Sequence, residues 1–486
     1  MIKIKIFLSS IHETEMSITA NRIFQFLNSC SYRCHLHQIQ SQLIIQNLQS
    51  DTTIAAHFIS ACHSLGLLCT AHEFLFIHLY NPHVFICNSL IRAFSHACIP
   101  HFPYAIYASM HGNSIVTNNY TFPFLFKSLA DFSELKRGRS VHTHVVKLGY
   151  LADIYVGNSL LNVYASREGD MELCRQLFDE MRERDVVSFT VLITGFRRAG
   201  KYDDALIGFE QMLSTGVVPN RVTMVNALAA CGSFGAIDMG VWIHGFIKRK
   251  GWELDVILGT ALIDMYGKCG RIEEGLSVFH KMKEKNIFTW NAIIKGLALA
   301  KNVEEAVFWF TRMKQEGFMA DKVTLLEMLC ACSHSGFVDM GRQIFCSLIQ
   351  GKYGFSPTAK HYAATIDLLS RAGCLKDAFR IIRGMPFEPT KSMWGSLLSG
   401  CRTHGSLELS EFAAKKLVEL EPESGAYHVA LSNLYAEMGR WNDVEEAREL
   451  MKDKGFNKEL GCSSMEPDPQ NHVHDSDAII KMNTCS

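Results

Sequence analysis

No two of the sixteen cysteines in this chain stand in a Cys-x-x-Cys register, and none joins a histidine cluster at zinc-finger spacing. Finger and ribbon sites, which close a tetrahedron of thiolates and imidazoles around zinc, are therefore excluded. So many unpaired thiols fit a reducing compartment. An excess of charge is missing too: 48 Lys and Arg against 49 Asp and Glu leave a formal net charge of -1. That excludes a polycation that grips any nucleic acid by neutralising phosphates, but not a reader that selects by base. No Pro/Gly/Ser linker or charge block divides the chain. From Thr52 to Phe126 only Glu73 and Arg92 are charged, which raises the question of a membrane span, yet FLFIHLYNPHVFICNSLI is interrupted by His, Asn and Pro. It falls short of the roughly 20 predominantly apolar residues that a spanning helix needs, so no stable membrane insertion is expected. The leader MIKIKIFLSSIHETEMSITANR has two early lysines, but Glu13 and Glu15 depart from the acid-poor pattern of an organellar transit peptide.

What is present is repetition. VVSFTVLITGF at 186 returns as IFTWNAIIKGL at 287, 101 residues later. TFPFLFKSLADFSELKRG at 121 returns at 223 as TMVNALAACGSFGAIDMG and at 324 as TLLEMLCACSHSGFVDMG, and IYVGNSLLNVY at 154 returns as VILGTALIDMY at 256. Between 186 and 286 each long period holds three units, 186–220, 221–255 and 256–286. Such self-similarity signals a repeat array, in which each unit packs on its neighbours. Cys231, Cys332 and Cys401 fall in one slot of this pattern (LAACG, LCACS, LSGCR), which marks them as core packing rather than ligands.

One unit, VVSFTVLITGFRRAGKYDDALIGFEQMLSTGVVPN at 186–220, carries two apolar stripes. Phe189, Leu192, Ile193 and Phe196 follow i, i+3, i+4, i+7, and Tyr202, Ala205, Leu206, Phe209, Met212 and Leu213 continue on a second stripe. Gly200 and Gly216 stand where helix ends favour positive φ, and Pro219 blocks continuation. The unit is predicted to be a helical hairpin too small to bury its own face, so hairpins must stack into an α-solenoid whose inner surface is lined by the first helices.

The alternation of 35, 35 and 31 residues, with MYGKCGRIEEGLSVFHKM, ACSHSGFVDMGRQIF and IDLLSRAGCLKDAFRIIRGMPFEPT, resembles the plant pentatricopeptide-repeat family, in its subclass that mixes standard, long and short motifs. The resemblance implies an all-α fold, a right-handed superhelical solenoid, with a leader over 1–16, about eleven repeats over 17–390, E-type extension motifs over 391–460 and a short tail over 461–486. A tetratricopeptide array is the nearest alternative, but its uniform 34-residue spacing and W-x2-LG-x2-Y pattern are absent.

The resemblance also implies one RNA base per repeat, read by the fifth residue and the last. These pairs are Asn88 with Asn118, Asn158 with Asp185, Thr190 with Asn220, Thr260 with Asn286, and Asn291 with Asp321. By the family's code Asn with Asp resembles a uridine reader, Thr with Asn an adenosine reader, and Asn with Asn a pyrimidine reader. The long units carry Pro123, Val225 and Leu326 in the fifth slot and offer a base no side-chain hydrogen bond. The second slot, where the family sandwiches bases, holds Phe85, Tyr120, Tyr155, Val187, Val222, Ile257, Phe288 and Val323, with Lys360 breaking the series. Two plainer readings stand beside these: short polar residues near helix starts are caps, and apolar second-slot residues are packing between repeats. Arg198, Lys268 and Arg371, thirteenth in their units, are candidates for the RNA backbone or for solvated surface charge.

The editing branch of this family often ends in a zinc deaminase-like domain, which needs a His-x-Glu and a Pro-Cys-x-x-Cys. The final stretch GCSSMEPDPQNHVHDSDAIIKMNTCS contains neither, and His472 with His474 is too poor a set for zinc. No nucleophile elbow or phosphate loop occurs. The expectation is a non-catalytic, cofactor-free factor that binds single-stranded organellar RNA for C-to-U editing, the deaminase coming from another protein. An RNA splicing or stabilising scaffold and a protein-interaction solenoid remain open alternatives. The expected compartment is the mitochondrion, with the chloroplast as alternative.

Overall fold

The computed structural model describes residues 22–79, 82–166, 169–422 and 424–453. The leader over 1–16 and the tail over 461–486, with His472 and His474, lie outside the described residues. Among the described residues every regular element is a helix.

The unit at 186–220 shows why. Asp185 begins the helix Val186–Arg198 as an N-cap, with basic Arg197 and Arg198 in its last turn complementing the helix dipole. The chain reverses at Gly200, whose φ of +75° few side chains tolerate, while Lys201 N–H bonds to Phe196 C=O at 3.0 Å. The helix Tyr202–Ser214 then starts with Asp203 and Asp204 in its first turn, and Gly216 at φ +76° ends it. Phe189, Leu192, Ile193 and Phe196 of the first helix are buried together with Ala205, Leu206, Phe209 and Met212 of the second. Each large side chain so buried contributes about 1.5–3 kcal/mol. The rest of that apolar surface is covered by neighbouring hairpins: the helix Val186–Arg198 packs on its own partner Tyr202–Ser214 and on the first helices of the units on either side, Ile154–Tyr164 and Arg221–Phe234. The repeats are thus an α-solenoid of stacked hairpins, as their periodicity requires.

By contacts the chain divides into two compact parts between Met319 and Ala320. Within the first, the helices Val256–Lys268 and Ile287–Leu299 approach so closely that a Cβ on Gly267 would lie 2.8 Å from the Cα of Gly296. Trp290, fully buried, packs edge to face on Phe279 at 4.9 Å and lies 6.0 Å from Trp309. Within the second part, Lys391–Thr403 with Leu407–Leu420, and Gly425–Glu437 with Trp441–Asp453, form two further hairpins. Trp394, Leu397 and Cys401 of the first are buried with Ala413, Ala414 and Leu417. Arg440 ties the second to the first through Glu411 at 3.0 Å. Cys231, Cys332 and Cys401 are all buried, and burial pushes their thiols up to about 12, 11 and 11, so they are packing groups with little thiolate character. Among the described residues no helix is long and apolar enough to cross a membrane.

Gly267→Ala is expected to lower the Tm, by an amount corresponding to about 1–3 kcal/mol, because the clash is with backbone. Gly395→Ala, with nothing within 4 Å of the added Cβ, is the control and is expected to leave the Tm unchanged or raise it. Differential scanning calorimetry checks both.

Candidate nucleic-acid interface

The last residue of a repeat lies immediately before the next first helix, where four backbone N–H groups lack helical partners. Asp185 Oδ1 accepts from the N–H groups of Val187 and Ser188, both at 2.9 Å. Asn220 accepts from Thr223, Asn286 from Thr289 and Asp321 from Thr324, at 2.9, 3.1 and 2.8 Å. Asn118 Oδ1 accepts from Tyr120 N–H at 3.2 Å. The capping reading therefore holds for Asp185, Asn220, Asn286 and Asp321, while Asn118 stands two residues before the N-cap position of its helix, Thr121–Asp131. That reading does not hold for the fifth slot, which lies a turn inside the helix.

Capping leaves the last residue facing the fifth residue of its own repeat. Asn88 Nδ2 donates to Asn118 Oδ1 at 2.9 Å, and Asn158 Nδ2 donates to Asp185 Oδ1 at 3.0 Å. In the Thr repeats the contact runs through one more group: Thr190 Oγ1 meets Thr223 Oγ1 at 2.7 Å, which reaches Asn220 Oδ1 at 3.0 Å. Thr260 reaches Asn286 the same way, through Thr289, at 2.9 and 3.2 Å. Two of the five pairs named from sequence are thus joined by a direct hydrogen bond, and in two more a single hydroxyl lies between the members. Asn291 is buried near the start of its helix, and Asp321 caps the helix Lys322–Ser335.

The second polar atom of Asn118, Asn220 and Asn286, a carboxamide N–H2, has no hydrogen-bond partner among the described residues, nor does Asp185 Oδ2. Burial works to raise the Asp185 carboxyl, but the bonds from Ser188, Asn158 and Val187 outweigh it and hold the group below the usual carboxylate range. Asp185 is thus an ionised acceptor at neutral pH. The rungs sit deeper than an open ladder would: Asn158 is 8% exposed and Asn291 5%. The reason is that the Asn158 amide is shared between Asp185 and the buried Ser188, leaving one N–H and one lone pair uncommitted. Ser188 and its counterparts Thr121, Thr223 and Thr289 escaped the sequence reading. The signal was a hydroxyl three positions after an Asx, the register of a capping box.

The second slot behaves differently. Phe85, Tyr120, Tyr155, Val187, Val222, Ile257, Phe288 and Val323 are between 46% and 75% exposed. They are not packing between repeats. One exposed apolar side chain per step, beside a polar rung, is a surface that solubility alone would not select. Of the thirteenth-slot cations, Lys268 is held by Asp264 at 2.7 Å and Arg371 by Asp367 at 2.8 Å. Arg198 makes no ion pair among the described residues and is exposed. It lines one groove with Thr190, Asn162, Val191 and Thr194, so a base-reading candidate and a free cation share a cleft.

Stacked hairpins with an exposed apolar residue at each step, and a polar rung at the repeats beginning at 84, 154, 186 and 256, define a modular helical-repeat protein. The chain belongs to the pentatricopeptide repeat family. The family's repeat pattern matches residues 184–232 and 285–334, its single-repeat form matches 158–186 and 260–287, and the E motif matches 404–466. An Arabidopsis thaliana pentatricopeptide repeat-containing protein named as chloroplastic is 35% identical over 451 residues, covering 92% of this chain and 74% of its own length. One named as mitochondrial is 36% identical over 392 residues, covering 74% of this chain, which spans 57% of that relative's length. Among solved structures, the pentatricopeptide repeat protein PPR10 in complex with an 18-nt psaJ RNA element has a TM-score of 0.66 at 15% identity, covering 90% of this chain and 64% of that one. That likeness shows the fold.

Asp185→Ala is expected to cost about 1 kcal/mol at pH 7 through the lost cap. Because the folded-state pKa is lowered, the ionised group stabilises the native chain above the unfolded pKa, and this contribution is lost as pH falls through the folded value. The Tm gap between the native chain and Asp185→Ala is therefore expected to narrow between pH 5 and pH 3, which thermal melts across that range check.

Proposed function

We propose that this chain is a sequence-selective binder of single-stranded organellar RNA that marks sites for C-to-U editing, with the deaminase supplied by another protein. The observation that carries the reading is the coincidence, at the repeats beginning at 84, 154, 186 and 256, of an assembled fifth-and-last-residue rung with an exposed apolar second-slot neighbour. The rung offers a base edge a defined set of donors and acceptors, and the neighbour offers a stacking surface, together the two requirements for reading a splayed single strand. A protein-interaction solenoid would need neither in register. The relative solved with RNA supports the same direction.

In this reading Asn158 with Asp185 selects uridine, Thr190 with Asn220 and Thr260 with Asn286 select adenosine, Asn291 with Asp321 selects uridine, and Asn88 with Asn118 a pyrimidine. Phe85, Tyr120, Tyr155, Val187, Val222, Ile257, Phe288 and Val323 stack on the bases, and Arg198 meets a phosphate. The chain's own part is binding and positioning, without catalysis. The E motif favours editing over a splicing or stabilising scaffold, and its hairpins over 391–453 are the surface proposed to recruit the deaminase and other editing proteins. Relatives named as mitochondrial and as chloroplastic support an organellar address; the mitochondrion is the one proposed here.

Three measurements test this. Asn158→Thr is expected to abolish the uridine preference at its letter, and Thr190→Asn to turn an adenosine preference into a pyrimidine one, in binding assays on RNA oligomers varied at one position; unchanged selectivity overturns base reading. Tyr155→Ala is expected to weaken binding to all sequences by about fivefold or more, since aromatic stacking contributes about 1–3 kcal/mol per base. Transcript sequencing in plants lacking the protein is expected to show one or a few unconverted cytidines, and normal editing with altered splicing would favour the scaffold.

A further inference from the structure

The third residue of each repeat follows a rule that capping does not explain. From the repeat at 84 onward, where the preceding repeat has a polar fifth residue the third slot holds a hydroxyl: Asn88 is followed by Thr121, Asn158 by Ser188, Thr190 by Thr223, Thr260 by Thr289 and Asn291 by Thr324. Where the fifth residue is apolar the hydroxyl disappears. Ala56 is followed by Ile86, Pro123 by Val156, Val225 by Leu258 and Leu326 by His361. All five hydroxyl residues are fully buried.

A merely structural role would be to complete the capping box. Yet Asp255 caps its helix through Leu258 N–H at 2.8 Å, and Asp153 through Val156 N–H at 3.2 Å, with an aliphatic third residue in both. The cap forms without the hydroxyl. What the hydroxyl does instead is touch the fifth residue. Ser188 Oγ lies 2.6 Å from Asn158 Oδ1 but 3.0 Å from Asp185 Oδ1, and Thr121 Oγ1 lies 2.8 Å from Asn88 Oδ1 but 3.3 Å from Asn118 Oδ1. A hydroxyl has one proton to donate. In the Asn rungs the shorter contact sends it to the fifth residue, which pins the amide with its oxygen toward the hydroxyl and its N–H2 toward the last residue. In the Thr rung, Thr190 Oγ1 donates to Val186 C=O at 2.6 Å, so the 2.7 Å contact with Thr223 is donated by Thr223. Thr190 is left presenting a lone pair.

We propose that the third-slot hydroxyl of each following repeat is a positioning residue for base discrimination: it sets which face of the fifth residue donates and which accepts. The proposal rests on the base-reading function above. It predicts that selectivity at one letter depends on a buried residue of the next repeat that touches no base. The reason is energetic: an amide free to turn offers donor and acceptor to a base edge in either order, and discrimination between bases depends on that order.

The test is a binding series with the full chain and four RNA oligomers of the predicted letters, differing only at the base opposite repeat 154–185. Ser188→Ala is expected to reduce discrimination among the four by about tenfold, the equivalent of one lost hydrogen bond. Selectivity at the letter of repeat 186–220 stays as it was, and Ser188→Thr restores the native ratio. Thr223→Val, which keeps the side-chain shape, is expected to do the same one letter along and serves should Ser188→Ala fail to fold. Equal loss of affinity for all four oligomers, or unchanged discrimination in the presence of a native Tm, overturns the proposal. Asn158→Thr separates the two levels: if it alters the preferred base while Ser188→Ala does not, only the positioning role falls, and if it too leaves the preference unchanged, base reading falls with it.

Discussion

In the repeat 154–185 one oxygen serves two helices. The side-chain oxygen of the last residue must cap the helix that follows, because the first-turn N–H groups there have no other partner, and that fixes where the side chain stands. Standing there, it meets the fifth residue of the helix before it. Asp185 shows this most fully, receiving Val187 and Ser188 from the next helix and Asn158 from its own repeat on the same Oδ1. Helix initiation, the stacking of hairpins and the placing of a potential reading group are thereby tied to one atom. A repeat that lost it would lose its cap and its rung together.

Around that atom the slots divide their labour by depth. The third slot is buried beside the rung, the fifth is buried at Asn158 and half-buried at Asn88, Thr190 and Thr260, and the second stands in solvent with apolar surface uncovered. Such a gradient runs against burial as the only driving force, since exposed Tyr155 and Ile257 gain nothing from it in the free chain. A flat molecule stacked against the second slot would cover that surface while its edge met the rung. The long repeats interrupt the pattern, with an apolar fifth residue and a plain Asx cap, and keep the spacing of the array without contributing a rung.

Much of this was legible in one sequence. The 101-residue period, the stripe from Phe189 to Phe196, and the glycines at 200 and 216 follow from local rules that repeat, so each instance corroborates the next. The pairing of Asn158 with Asp185 was legible through family likeness, since 27 residues separate them and no local periodicity links a residue inside a helix to one beyond its partner helix. Ser188 was not read, because a serine near a helix start is ordinary; its meaning lies in contacts to two residues that belong to another repeat. The second slot showed the reverse difficulty. Phe85 or Val222 reads as packing by composition, and only the exposure of the whole row removes that reading.

By itself, then, the order of residues determined that helices form, where they turn and that hairpins must stack, because these depend on backbone conformation and on apolar spacing within a few turns. The tertiary structure decided which polar groups share a proton, how deep Asn158 lies, and which apolar residues stay uncovered. Those outcomes depend on distances of a few ångströms between residues roughly thirty apart in the chain, and such distances exist only once one hairpin has closed upon the next.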